Sequence, residues 1–516
     1  MTTIYIDPTN PSSGTGTLEN PYRSWSSVTW TAGNSYLQKA GTTYVGADCS
    51  PGASGTSGSP ITIGTYDPRT GEQITNKQSY ATVTNSGVTN IVGIGSGRSW
   101  IIIDNLEIVG SGRSHATNSE NGIGVQTTGT GNITIRRCRI HNLPGTGVYI
   151  QTGLNAYPVG WVVEDNEVYD CGGAGIHWIG SGYSWAIRNN QVHDTGYKTA
   201  TFGITCYPHR YSGSLTWSLT GGNIYQATLA NQGSENPLTY IESVWFSGAS
   251  SFNLKETTAA VNNPGVGEYG FDAGTLTLYV NLNGEDPSTK AAPSLSYGRM
   301  RGWIIENNTV WDTNNKTTEG NGIQADDNSG FGIIRGNKVY GRVNHGITAN
   351  VGHDLVFASN ICIVTKGNGV RGGNARGNSY IHNVVVSTST TVPCIYFDGS
   401  NAGGTQEISN NILVGGNYGI QRGAGGGTNT ARTNCIYGQA TGEATGITPT
   451  GTVAQDPLLD IEYFPKNPAL QTAGTSLGGY DFYSNPFHLG TPTIGAVQYR
   501  EPRTQTTRII VPRRAA

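Results

Sequence analysis

The chain is poor in the features that mark most function classes. Only 13% of its 516 residues are charged and the formal net charge is -3, so no basic field exists to hold nucleic acid or an anionic membrane. No apolar run reaches the length of a membrane span. The seven cysteines (Cys49, Cys138, Cys171, Cys206, Cys362, Cys394, Cys435) lie far apart, without a CxxC pair or a Cys/His grouping of zinc-like spacing. Most of them stand where neighbouring segments carry Val, Ile or Ala, and they read as small core residues. There is no Gly-rich phosphate loop and no Asp-rich loop of EF-hand spacing, so no cofactor is expected. The acidic stretch Asp326-Asp327-Asn328 leaves room for calcium, without a motif that requires it. Long amphipathic helices are also missing.

What is abundant is punctuation. The 75 glycines, with Asn, Thr and Ser, crowd the spaces between short β-branched runs, as a chain that turns every few residues requires. One unit recurs, as in Trp161-Val-Val-Glu-Asp-Asn166, Trp185-Ala-Ile-Arg-Asn-Asn190 and Trp303-Ile-Ile-Glu-Asn-Asn308. Aligning its last position collects Asn105, Cys138, Asn166, Asn190, Asn308, Asn337, Asn360, Asn383, Asn411 and Asn434, with a smallest spacing of 23 residues. That spacing suits one coil of a parallel β-helix. A short amide tolerates a left-handed bend and can bond to its copy in the next coil, so this column reads as an architectural ladder. A second strand follows each Asn strand and begins Gly-Ile or Gly-Val, as at Gly147-Val148, Gly175-Ile176 and Gly346-Ile347. The expected fold is all-β, a right-handed parallel β-helix with at least two strands per coil. Ten coils at about 4.8 Å each would make a rod of roughly 45–50 Å before its caps.

The divisions read from the chain are an N-terminal cap with the first coils (1–100), coils (101–210), a small β-rich insertion (211–300), further coils (301–450), a C-terminal closure (451–500) and a basic tail (501–516). The insertion follows from the gap of 118 residues between Asn190 and Asn308 and from the paired strands around Gly267–Val280. It reads equally as an arm beside the helix face or as a cover over a side wall. The segments Ile4-Tyr-Ile-Asp-Pro8, Pro60-Ile-Thr-Ile-Gly-Thr-Tyr66 and Trp100-Ile-Ile-Ile-Asp-Asn105 resemble the opening of β-helix proteins of the pectate-lyase-like superfamily, chondroitin and alginate lyases included. The run Pro465-Lys-Asn-Pro-Ala-Leu470 to Ile494-Gly-Ala-Val-Gln498 resembles the C-terminal closure of such proteins.

Strand alternation turns the residue after each Gly-Ile outward, which gives the column Gly124, Tyr149, His177, Thr205, Gln324, Thr348, Arg371, Tyr396 and Gln421. Two positions on stand Gln126, Gln151, Ile179, Tyr207, Asp326, Asn350, Gly373 and Asp398. Rings for the apolar faces of sugars and amides or charges for their hydroxyls make this a wall suited to a glycan. The catalytic candidates are Asp326, Asp327, His345, Arg371 and His177. The substrate-binding candidates are Tyr149, Gln324, Asn350, Tyr396, Asp398 and Tyr207, with His209 and Arg210 at the root of the insertion. Asp326 with Asp327 would serve hydrolysis as acid and base. Arg371 would instead neutralise a uronate for elimination, with a His or Tyr moving the proton. Asp326-Asp327, Asn344-His345-Gly346 and Val370-Arg371-Gly372 are similar to the Asp-Asp, Gly-His-Gly and Arg-Ile-Lys of polygalacturonases, although Asn344 and Gly372 depart from that pattern. Gly367-Asn-Gly-Val-Arg371 is similar to the Arg-bearing coil of the chondroitin and alginate lyases.

The expectation is therefore a polysaccharide-degrading enzyme, a lyase or glycoside hydrolase, with a non-catalytic glycan-binding or structural virion protein as the alternative. Met1-Thr-Thr-Ile-Tyr-Ile-Asp7 enters a strand without a charged or apolar leader, which leaves a cytoplasmic protein, one whose leader was removed or a virion protein released by lysis, and the expectation is the extracellular or virion location of the last two. The tail Arg503–Ala516, with its Arg508-Ile-Ile-Val-Pro512 strand, is the expected contact for a virion partner or for homotrimer formation.

Overall fold

The computed structural model describes residues 2–46, 49–113, 120–127, 131–152, 159–198, 202–210, 215–229, 241–246, 252–257, 259–266, 268–290, 294–297, 300–313, 320–326, 329–349, 352–373, 377–397, 405–423, 429–487 and 491–498. Short strands stack in register into three long sheets of 13, 12 and 11 strands. Each coil contributes one strand to each sheet, as Val162–Glu164, Glu167–Cys171 and Ile176–Ile179 do in turn. The architecture is the expected right-handed parallel β-helix, with a third strand per coil beyond the two read from the repeat. Twelve intervals along the first sheet make the stack about 58 Å long, because the N-terminal strands Thr3–Ile6 and Ser35–Lys39 already belong to it.

The asparagine ladder lies at the corner between the first and second sheets. Asn337 shows its pattern: the backbone N–H and the side-chain amide both donate to Asn360 Oδ1 at 3.0 Å, and the amide also donates to the Ile305 carbonyl at 2.9 Å. The same bonding runs through Asn166, Asn190, Asn308, Asn360, Asn383, Asn411 and Asn434. Two details differ from the sequence reading. The left-handed bend falls on the preceding residue, as at Asp165 (φ 57°), Asn307 (φ 56°) and His382 (φ 57°), which frees the ladder side chain to point along the axis. Asn105 is itself left-handed (φ 55°) and pairs one position earlier, so Leu106 is the residue in register with Cys138.

The interior is a single apolar column. Trp161, Trp185 and Trp303 occupy equivalent inner positions, with Trp185 and Trp303 stacked at 5.2 Å. The seven cysteines are buried and form no disulfide, and burial pushes the Cys138 thiol up to about 12. The glycine that opens each third-sheet strand is required for space: a Cβ on Gly175 or Gly203 would lie 2.3 Å from Val192 or Val310 of the next coil. Outside, the first sheet carries alternating charges, with ion pairs Arg136–Asp104 (3.0 Å), Arg188–Glu164 (2.7 Å) and Arg335–Glu306 (2.7 Å). The second sheet carries stacked rings: His141, Tyr169, His193, Trp311 and Tyr340. These rings face one another and leave only their edges to solvent, so they serve the stack.

The inserted segment forms an eight-stranded sheet with its own core of Leu229, Val244, Phe246, Leu254, Tyr269, Leu278, Val280 and Leu282. It leaves the rod at His209–Arg210, whose backbone pairs antiparallel with Tyr297 and Ser296. Beyond it the stack resumes without a skipped rung, Val192 pairing with Val310 and Ile204 with Ile323. The C-terminal segment lays Leu470, Ile494 and Ala496 over Ile361, Val384 and Ile412 of the second sheet.

Candidate functional site

The third sheet carries the column expected from strand alternation. Tyr149 pairs with His177, His177 with Thr205, Thr205 with Gln324, Gln324 with Thr348, Thr348 with Arg371 and Arg371 with Tyr396. These six intervals extend about 29 Å. The column is not uniformly open to solvent, as alternation alone suggested. Tyr149, His177, Arg371 and Tyr396 are partly exposed, whereas Thr205, Gln324 and Thr348 are only 1%, 4% and 0% exposed. The middle is a covered floor between two accessible ends.

At the C-terminal part of this floor a polar group comes together that only partly coincides with the expected one. Asn321 Nδ2 donates to Gln324 Oε1 (2.6 Å), which also accepts from Thr348 Oγ1 (3.2 Å). The other end of the Gln324 amide donates to Asp326 Oδ2, so a continuous hydrogen-bond chain crosses the strand from Asn321 to Asp326. Asn321, His345 and Asn368 occupy equivalent positions in successive coils, as the pairing of Ile323 with Ile347 and of Ile347 with Val370 requires. The His345 backbone N–H donates to Asn321 Oδ1 (3.3 Å), and the Asn368 backbone N–H donates to His345 Nδ1 (2.8 Å).

That last bond decides the chemistry of His345. A ring nitrogen that accepts from a backbone N–H leaves the hydrogen of the neutral ring on Nε2. Burial, with the nearby Arg371 charge, lowers the His345 pKa to about 4, so the ring is neutral at ordinary pH and offers a donor at Nε2. In this state the His345 ring presents Nε2–H as a donor, its Nδ1 lone pair being taken by the Asn368 backbone N–H. Arg371 lies over the Tyr396 ring at 5.8 Å, and among the described residues no carboxylate pairs with its guanidinium.

Other candidates are separated. Asp326 is not one of these: the single Gln324 amide bridges its carboxylate to Asn321, whose position is one rung from His345, so the Asp326 carboxylate lies within about 7 Å of the Asn321 amide. His177 stands four rungs, about 19 Å, from Arg371 and cannot act on the same sugar residue. It packs instead against Tyr149 (5.5 Å) and Tyr207 (5.2 Å), and burial lowers its pKa to about 4. Asp327, Asn350 and Asp398 lie outside the described residues, and of His209 and Arg210 only the backbone is described. Among the described residues no three His, Cys, Asp or Glu side chains group closely enough to hold a metal, and no helix is long and apolar enough to cross a membrane. Asn321 and Asn368 were missed in the sequence; their signal is the position two before the Ile or Val of each third-sheet strand.

Residues 73–239 match the family described as a right handed beta helix region. No curated protein sequence matches the chain significantly. Among solved structures, the mannuronan C-5 epimerase AlgE6 A-module of Azotobacter vinelandii is similar at a TM-score of 0.50 and 12% identity, over 82% of this chain and 91% of that one. The complex of XylC with xylose is similar at a TM-score of 0.50 and 9% identity, over 96% of this chain and 98% of that one. Pectate lyase Pel9A aligns over 97% of each chain at 12% identity with a TM-score of 0.43. At these identities the likeness establishes the right-handed parallel β-helix fold.

Proposed function

We propose that this chain is a polysaccharide lyase that cleaves a long uronate-containing glycan, laid along the outer face of the third sheet, by β-elimination. The observation that carries the reading is Arg371, a guanidinium on the outward column with no carboxylate partner among the described residues. An unpaired, partly buried cation beside hydrogen-bonding side chains is what a sugar carboxylate needs. Mannuronan and xylose in the names of two proteins of this fold lend support to a carbohydrate ligand.

The chemistry follows from the neighbours of Arg371. Its charge neutralises the uronate carboxylate and so makes the C5 hydrogen removable. Tyr396, as the phenolate that the adjacent guanidinium favours, takes that proton and, as the phenol so formed, returns it to the departing glycosidic oxygen. The C4–O4 bond breaks, a C4–C5 double bond forms, and no water is consumed. His345 Nε2–H and the Asn321 amide hold the sugar through its oxygens, with Gln324 and Thr348 fixing Asn321 from beneath. A substrate of this kind lies outside cells, which carries with it an extracellular or virion-borne protein.

The test is incubation with uronate-containing and neutral polysaccharides, following the ultraviolet absorbance of unsaturated ends and new reducing ends in parallel. Elimination produces both signals together on a uronate glycan, and Arg371→Ala reduces the rate by about a hundredfold or more. Reducing ends without unsaturation would replace the reading by hydrolysis. Binding without either product would replace it by a non-catalytic glycan-binding protein.

A further inference from the structure

Three rungs of the same column, far from Arg371, hold polar atoms that the proposed reaction does not use. Thr205 is 1% exposed and its Oγ1 has no hydrogen-bond partner among the described residues. His177, the residue paired with it in the preceding coil, buries its Nε2 equally without a partner among the described residues. Two adjacent buried polar atoms left open on one face are costly, since each forfeits its hydration for nothing. Rings flank them: Tyr149 meets the imidazole edge-on at 77° and Tyr207 is tilted at 57°. Along the column the charge-free side chains of Tyr149, His177 and Thr205 distinguish this part from the Arg371 end.

We propose that His177 and Thr205 form a distal sugar subsite, in which the hydroxyls of an uncharged face of the glycan bond to His177 Nε2 and Thr205 Oγ1 between the Tyr149 and Tyr207 rings. A neutral imidazole and a threonine hydroxyl can each donate or accept, which matches a sugar hydroxyl, itself both donor and acceptor, and neither brings the positive charge that a carboxylate is best held by. The subsite lies three to four rungs, about 14–19 Å, from Arg371, so a single glycan chain along the strip occupies both only if it is long enough to span that distance. The inference rests on the glycan reading above, and it reassigns His177 from catalysis to the selection of chain length.

The experiment is calorimetric titration of the intact chain with alginate and polygalacturonate oligomers of defined length, from disaccharides to oligomers well beyond the span between the two places. The wild type, Thr205→Val, Thr205→Ser, His177→Gln and Arg371→Ala are compared, with thermal melting to show that each variant is folded. Thr205→Val and His177→Gln should weaken the binding of long oligomers by about three- to tenfold, leave the shortest bound oligomers unchanged, and be rescued at Thr205 by serine. Loss at Arg371→Ala together with no length-dependent change at Thr205 or His177 overturns the subsite, whose open atoms then hold only water, and leaves the glycan reading standing. Equal weakening at every length also overturns it. No binding by the wild type to either series overturns both.

Discussion

The corner that carries the asparagine ladder and the outer column of the third sheet are built on the same rungs, yet they behave as opposites. In the ladder one residue type recurs, is 0–1% exposed, and every amide oxygen between Asn166 and Asn434 accepts from the preceding coil. On the third sheet the side chain changes from coil to coil, from Tyr149 to His177, Thr205, Gln324, Thr348, Arg371 and Tyr396. Two of its polar atoms have no partner and its guanidinium has no carboxylate among the described residues. Stacking rewards identity between rungs. Where identity is given up and hydrogen bonds are left open, the side chains answer to something other than the stack.

The largest effect should come from breaking the ladder. Asn337→Ala removes bonds to Asn360 and Ile305 and strands those from Asn308, at a cost of about 3–4 kcal/mol in urea unfolding. A loss below about 1 kcal/mol would erase the contrast between the two regions. The next effect is acid sensitivity on the architectural side. His382 is 1% exposed, stacks on Phe487 at 3.7 Å, and burial lowers its pKa to about 3. Between that value and 6.5 the unfolded chain binds a proton that the folded chain refuses, so stability falls as pH drops through this window. The contribution reaches about 2–3 kcal/mol at pH near 4, and His382→Gln should flatten the profile.

A smaller loss, about 2 kcal/mol, is expected from Gly203→Ala, whose Cβ meets Val310 at 2.3 Å and Gly322 O at 2.7 Å. This glycine borders the functional strip but belongs to the repeat, so it sharpens the boundary between the two kinds of position. The smallest stability effect is that of Arg371→Ala, within about 0.5 kcal/mol by thermal melting, since it breaks no ion pair among the described residues. A large loss there would make Arg371 part of the scaffold and would remove it from the reaction.

The same contrast explains what could be read from the chain alone. The ladder was legible because its hydrogen bonds demand one short amide at one place in every coil, and the Gly-Ile strands were legible because only glycine fits beside Val168, Val192 or Val310. The outer column followed from strand alternation and was placed in full. Its covered middle did not follow, because the burial of Thr205, Gln324 and Thr348 depends on what lies over the sheet and not on their own period. The chain of bonds through Gln324 that links Asp326 to Asn321, one rung from His345, was also hidden, because it depends on how the side chains turn along the strip. The role of His345 turned on a backbone N–H from Asn368, a bond no side-chain pattern announces.

Asn190 reaches Asn308 across 118 positions with bonds of 2.9–3.0 Å, the same as those between neighbours 23 apart. The rod therefore has no memory of what was threaded between these two rungs. Loop-closure entropy rises only slowly with length, and the exit and return strands meet as a closed pair at His209–Arg210 and Ser294–Tyr297. The seam behaves as a socket: a foreign module with adjacent termini can be seated there, on the coil that carries Thr205 and Tyr207, while the coils on either side keep their alignment.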